Sequence, residues 1–313
     1  MALRLTSILA GALILPALAL LPQGSDGALA QPAASQLDQI TAQNGCPGCD
    51  LRLESLRALK LDMPDFTGVN LREADLKEAI LTGAKMSGAD LRRTELERAK
   101  LDGADMTSSS MRGVDLEKAS LIKARLSGSD MRNADLNDAT LTSAKLDNAD
   151  LRNAMLTRSI AIGANFSGSK MDGADLERAD LSSAMLDNAR LPYADLDRII
   201  AVDASFRNTD LSGTRITSGD LTDADLTGAD LTGALLRNTR LPGAKLKDVR
   251  GLDPKRMINL CGDARTELPD GIPRSSPVRE HLTNKRKGRP LWTALFQSLP
   301  ACWLAQNASN EKR

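Results

Sequence analysis

ADLRNAMLTRSIAIGANF, residues 149–166, places Leu at 151 and 156, Ala at 161 and Phe at 166, one apolar residue in every five. Neither regular backbone has that period, since a helix returns to one face every 3.6 residues and a strand every two. A beat of five requires a chain that turns within each repeat. From Leu51 to Leu246 the beat runs through forty positions, filled by 29 Leu, five Met, three Phe, one Ile and two Ala. Two residues before each beat stands a small side chain: Ala in 24 cases, and Cys, Ser, Thr, Val or Gly in twelve. Only Glu54, Leu59, Pro64 and Ile199 are larger there. One large and one tiny inward residue per repeat suit a narrow tube filled by Leu, with Ala where the walls approach. The aromatic fraction is 2%, so Leu and Ala, not rings, must do the burying.

Repeats such as Ala89-Asp90-Leu91-Arg92-Arg93 and Ala229-Asp230-Leu231-Thr232-Gly233 resemble those of the pentapeptide-repeat family, and the resemblance covers residues 46–250. It implies an all-β fold, a right-handed quadrilateral β-helix (a solenoid) with four repeats, hence twenty residues, per coil. The beat residue and the small residue two before it would point inward. Forty repeats then make about ten coils, roughly 48 Å of rod at the ~4.8 Å spacing of paired strands. In such an array stability is a nearest-neighbour sum, which leaves the ends weak and in need of caps.

A twenty-residue coil stacks residues twenty apart into columns. Phe66, Phe166 and Phe206 share one interior column, and Ala161 and Ala201 share its neighbour. The expectation is volume exchange, a large ring beside each missing Leu. Ile160 and Ile200, with Ile80 in the same outward column, form a candidate apolar contact patch. A second outward column holds Arg52, Arg72, Arg92, Arg112, Arg132 and Arg152. Three residues further on, Asp75, Glu95, Asp115 and Asp135 form an acidic column that resumes at Asp175 and Asp195. Another basic column holds Arg98, Lys118, Arg158, Arg178 and Arg198. Stacked like charges repel, so the acidic column is expected to neutralise the arginines. The arginine strip is also a candidate surface for a linear anionic partner, a polysaccharide or an acidic protein face.

Outside the repeats, Arg4, the apolar run 8–21 and Ala28-Leu29-Ala30 before Gln31 read as an export signal over 1–30. Pro16 interrupts the run, which is short for a bilayer, so no membrane span is expected after cleavage. Residues 31–45 read as a flexible linker. Export places the mature chain in the periplasm or outside the cell, where disulfides persist. Cys46-Pro47-Gly48-Cys49 opens the first repeat. The register continues straight into Asp50-Leu51 and the only His is at 281, which favours a structural disulfide or cap over redox or zinc chemistry. A CPGC opening also resembles exported bacterial members of the family. Gly251-Leu252-Asp253-Pro254 resembles the family's exit and implies a short helix near 255–260. The segment CGDARTELPDGIP (261–273) resembles the cysteine-containing extension of those members. It implies a partner for Cys261 soon afterwards, although the nearest candidate here, Cys302, comes about forty residues later. The remaining tail, with KRKGR at 285–289, reads as largely disordered.

Catalysis finds no foothold in this sequence. One His allows no Ser/His/Asp set within the repeats, no Gly-rich phosphate loop follows a strand, and metal-ligand spacings are absent. No cofactor is expected. With 41 basic and 41 acidic residues, the chain has no overall pull toward nucleic acid. The leading expectation is a non-enzymatic exported scaffold that binds an unknown protein or anionic polymer through charge-patterned flat faces. End-to-end dimerisation is a further expectation for a rod with open ends. The alternative, drawn from the family resemblance, is a DNA-mimicking, topoisomerase-binding protein. That role calls for a cytosolic, strongly acidic rod, whereas residues 46–250 sum to about −4.

Overall fold

A computed structural model describes residues 36–269 together with the backbone of the strand Phe296–Gln297. The expected export signal, the basic run 285–289 and Cys302 lie outside the described residues.

Most repeats close a four-residue turn in which the small residue's N–H donates to the beat carbonyl, as Ala74 to Leu71 and Ala154 to Leu151, both at 3.0 Å; Pro64 has no N–H to donate, and the repeats around Ile216 and Leu236 run as short strands. The third residue of this turn has positive φ in every repeat from Gly48 to Asp248, which is the mark of a type II turn. One extended residue then bridges, in parallel, to its counterpart twenty positions later: Asp50 to Asn70, Ser55 to Asp75, Lys60 to Ile80 and Asp65 to Lys85. These bridges run from Gly45↔Asp65 onward, four in every twenty residues. The result is a β-helix whose chain climbs one rung per coil.

The N–H of the residue after the beat finds no backbone acceptor within its repeat. Asp or Asn just before the beat supplies one: Asp75 Oδ1 accepts from Lys77 N at 3.0 Å and Asp135 Oδ1 from Asn137 N at 2.9 Å. Where Ser120 or Met155 stands there, a side chain one coil earlier takes over, Asp102 for Ile122 N and Asn137 for Thr157 N. The recurrent Asp of the motif is therefore a turn acceptor before it is a surface charge.

Every beat residue from Leu51 to Leu246 is buried, most of them completely, so their inward assignment holds; two before the beat, Glu54 is exposed and Cys49 half-buried in the first coil. Several interior hydroxyls bond to carbonyls, as Thr94 Oγ1 to Leu71 O and Ser109 Oγ to Met106 O, whereas those of Ser159 and Ser169 are buried without a partner. Ala161, Phe166, Ala201 and Phe206 are all inside at 1% exposure or less. At Ala201 a second filler joins the ring: Ile199, in a position usually given to Ala, is equally buried. Gly219 makes room for it, since a Cβ there would lie 3.3 Å from Ile199 Cγ1.

The ends differ from expectation. The segment read as a flexible linker contains a helix, α1 (Gln36–Gln43), whose Ile40 is buried in the core of the first coil. Gln36 Nε2 donates to Asp50 O at 3.2 Å and Asn44 Nδ2 to Asp62 O at 2.8 Å, anchoring α1 to that coil. At the other end the helix implied near 255–260 is replaced by β-structure. Strands β1 (Arg215–Thr217) and β2 (Leu235–Arg237) are followed by β3 (Met257–Ile258) in one parallel sheet, and β4 (Leu260–Cys261) pairs with β5 (Phe296–Gln297). The last coil leaves open donors, and Leu236 N and Asn238 N take the carbonyls of Arg256 and Ile258 at 3.0 and 2.8 Å. An unpaired edge recruits the chain as strand in preference to helix. The spacing widens as it does so, to 21 residues at Arg240↔Cys261 and 22 at Lys245↔Glu267. Both end coils are thus engaged by flanking segments of the chain, the first by α1 and the last by β3. Cys46 and Cys49 form a disulfide with a Cα–Cα distance of 5.6 Å. Cys261 is also disulfide-bonded; the pairing expected for it, with Cys302, falls outside the described residues.

Candidate interaction faces

The arginine strip forms one outward column, as its period requires, but its counter-ions are not the acidic column expected. Four of the six arginines fork onto the aspartate two residues before. Arg52 Nε and Nη2 meet Asp50 at 2.8 and 2.6 Å, Arg132 meets Asp130 at 2.7 and 2.6 Å, and Arg152 meets Asp150 at 2.8 and 2.7 Å. Arg92 grips Asp90 in the same way. The reason is reach: the turn places residues i and i+2 on one wall, within a guanidinium's span. Asn70 and Ser110 replace the aspartate beneath the other two arginines. Arg72 turns to Glu73 at 3.2 Å, and Arg112 makes no ion pair among the described residues. Arg72, Arg92, Arg93 and Arg112 line an open recess with Gly113 and Asn133.

The acidic column serves other bases, as in Lys77–Glu95 and Arg215–Asp195. The second basic column pairs with its flanks: Arg158 forks onto Asp138 at 2.7 and 2.6 Å, and Arg198 meets Glu177 at 2.8 Å. Exposed pairs of this kind contribute only ~0–1 kcal/mol each, so the faces are self-neutralised more than they are stabilising.

The two kinds of aspartate titrate in opposite directions. The forked guanidiniums hold Asp90, Asp130 and Asp150 below the ordinary carboxylate range. Partial burial raises Asp135, opposed by the Asn137 N–H and reinforced by Asp115, Glu117 and Asp138. A depressed folded pKa contributes stability that is present above the unfolded value of ~3.9 and lost as pH falls through the folded one. Wild-type melting temperature should therefore fall on acidification below pH ~4, and Asp130→Asn should flatten that decline. Asp135 has the opposite sign, so Asp135→Asn should raise the melting temperature at pH 7. Thermal scans of the three proteins across this range check both signs.

Ile160 and Ile200 point outward at 43% and 41% exposure, and the structure adds Ile162 at 39% and Ile122 at 36% on the same face. The two additions were legible as outward positions but lie in a different column from Ile160. Among the described residues no group of three or more His, Cys, Asp or Glu side chains could hold a metal ion. No helix among them is long and apolar enough to cross a membrane.

A comparison with protein families matches pentapeptide repeats, in eight copies, over residues 65–98, 99–138, 134–173, 162–198, 193–228 and 220–250. Among solved structures the chain is similar to HetL, a pentapeptide repeat protein involved in heterocyst differentiation regulation from the cyanobacterium Nostoc sp. The identity is 31%, over 63% of this chain and 87% of that one, with a TM-score of 0.42. It is also similar to full-length QnrB1, a plasmid-mediated fluoroquinolone resistance protein, at 17% identity over 70% and 94% of the two chains, TM-score 0.38. A third likeness is to a pentapeptide repeat protein of the Arabidopsis thaliana thylakoid lumen, at 31% identity over 32% and 66%, TM-score 0.25. No curated protein matches. With the family's repeats matched over more than half of its length, and the turn, bridge and burial pattern repeating in every five residues, the chain belongs to the pentapeptide-repeat family.

Proposed function

We propose that this protein is an exported, non-enzymatic scaffold whose right-handed quadrilateral helix, of about ten coils, presents flat charge-patterned faces to a protein or an anionic polymer. The observation that carries the reading is the arginine strip, which sets one guanidinium on each of six successive rungs from Arg52 to Arg152. Rungs lie ~4.8 Å apart, so the strip offers a regular cationic row to an extended anion. Arg112 and the recess beside it are the part of that row where internal carboxylates leave cationic charge uncompensated. The duplex-mimicking alternative draws no support from these faces, because acidic and basic columns alternate around the coil.

Pull-down from an envelope extract tests the binding face. Wild type should capture a partner that the Arg72→Ala, Arg92→Ala, Arg112→Ala, Arg132→Ala variant loses; recovery of the same partner by both would show that the strip only keeps the rod soluble. N-terminal sequencing tests export. A mature chain beginning at Gln31 supports it, and Met1 retained on a cytosolic protein overturns it.

A further inference from the structure

The face that carries Ile160 has a charge polarity along the rod. Its outward residues, read rung by rung, are Ser120, Ile122 and Lys123; Thr140, Thr142 and Ser143; Ile160, Ile162 and Gly163; Asp180, Ser182 and Ser183; Ile200, Val202 and Asp203. The 140 and 160 rungs are uncharged, Lys123 stands toward one end, and Asp180 and Asp203 stand on the last two rungs toward the other. Lys123 and Asp203 are both exposed, and neither side chain has an ionic partner among the described residues. Four isoleucines between or beside them, Ile122, Ile160, Ile162 and Ile200, are more than a third exposed.

We infer that this face is the contact of an antiparallel side-by-side homodimer, with Ile162 meeting its own copy at the centre and Lys123 meeting Asp203 of the second copy on both flanks. The face is self-complementary, as a two-fold interface demands. A two-fold axis lying across the face at the 160–163 rung reverses the order of rungs and keeps each position across the face. It sets Ile122 on Val202, Lys123 on Asp203, Thr140 on Asp180 and Thr142 on Ser182. One rung further out it sets Lys100 opposite Asp220, which already faces Arg240 at 3.2 Å. Displacing the partner by one rung breaks the match: Ile162 then faces Ser182 or Thr142, and the apolar rung loses its own kind. A parallel arrangement would bring lysines together at one end and aspartates at the other. Asp102, one coil before Ile122 in the same column, is already occupied by Ser120 Oγ and by Ile122 N at 2.9 Å.

The patch is small and flat, which places the dimer among weak interfaces and calls for measurement between ~10 and ~200 μM. Sedimentation equilibrium on the mature full chain should show wild type moving from monomer to dimer across that range. Lys123→Asp and Asp203→Lys should each weaken association by ~10-fold or more, because each sets like charges opposite one another. The double variant Lys123→Asp, Asp203→Lys restores opposite charges and should recover the dimer. A wild type that stays monomeric throughout, single variants that associate as well as wild type, or a double variant no better than the singles would each overturn the proposal. A cysteine placed by Ile162→Cys reads the register independently: rapid oxidation to a covalent dimer supports it, and no cross-link at dimer concentrations contradicts it.

Discussion

Leu181→Asp is expected to abolish the cooperative melting of the rod at pH 7, whereas Arg112→Ala leaves the melting temperature nearly unchanged. Leu181 is completely buried and lies between Ala161 and Ala201 in its column, where the interior has the least aliphatic material to spare. Removing its side chain forfeits ~1.5–3 kcal/mol of burial. An unpaired carboxylate in the tube adds a desolvation cost of several kcal/mol. Together these consume most of a stability typically of 5–15 kcal/mol. Neighbouring coils must then open, because each is held only by the coil on either side. Arg112, exposed and without an ion pair among the described residues, has little to lose. Circular dichroism melts of the two variants check this, and equal losses would refute the facing assignment.

The second large effect is expected at the first rung. Gly45 has φ 131° and bridges Asp65, and a Cβ there would stand 2.3 Å from the Asp65 carbonyl oxygen. No side chain can yield to relieve that contact, since the obstacle is backbone. Gly103 shares the positive φ (67°), but a Cβ there meets nothing within 4 Å. Gly103→Ala should therefore cost only the left-handed backbone term, ~1 kcal/mol, and Gly45→Ala about 3 kcal/mol or more. The Gly45 loss should appear in hydrogen exchange as opening of α1 and the first coil. A Gly45→Ala cost no larger than that of Gly103→Ala would refute the close approach of the first rung.

How far the sequence could be read depended on which interactions repeat. A five-residue beat with Ala two positions earlier has one physical solution, so burial was legible residue by residue from Leu51 to Leu246. The twenty-residue stacking came with the family resemblance, and it located the arginine column and Ile160 above Ile200. What escaped was the level below. The counter-ion of Arg132 is Asp130 in the same turn, not Asp135, because side-chain reach around a left-handed turn does not show in a column count. Ile199 as a filler for Ala201, with Gly219 yielding to it, is a matter of three residues in two coils and carries no period. The ends were the poorest, for the same reason. Ile40 is the one side chain buried in a largely polar stretch, yet the open coil beside it makes a helix of what read as linker. Likewise the unsatisfied donors of Leu236 and Asn238 draw 257–258 into a strand.

The central claim is that twenty residues make one rung, and distances along one column test it most directly. Spin labels at Lys100 paired in turn with Asp180, Asp220 and Arg240 are separated by four, six and seven coils of twenty residues. Pulsed electron paramagnetic resonance should give separations of ~19, ~29 and ~34 Å, rising by ~4.8 Å per coil. Separations that do not rise in proportion to whole coils would contradict the β-helix, and with it every face assigned from it.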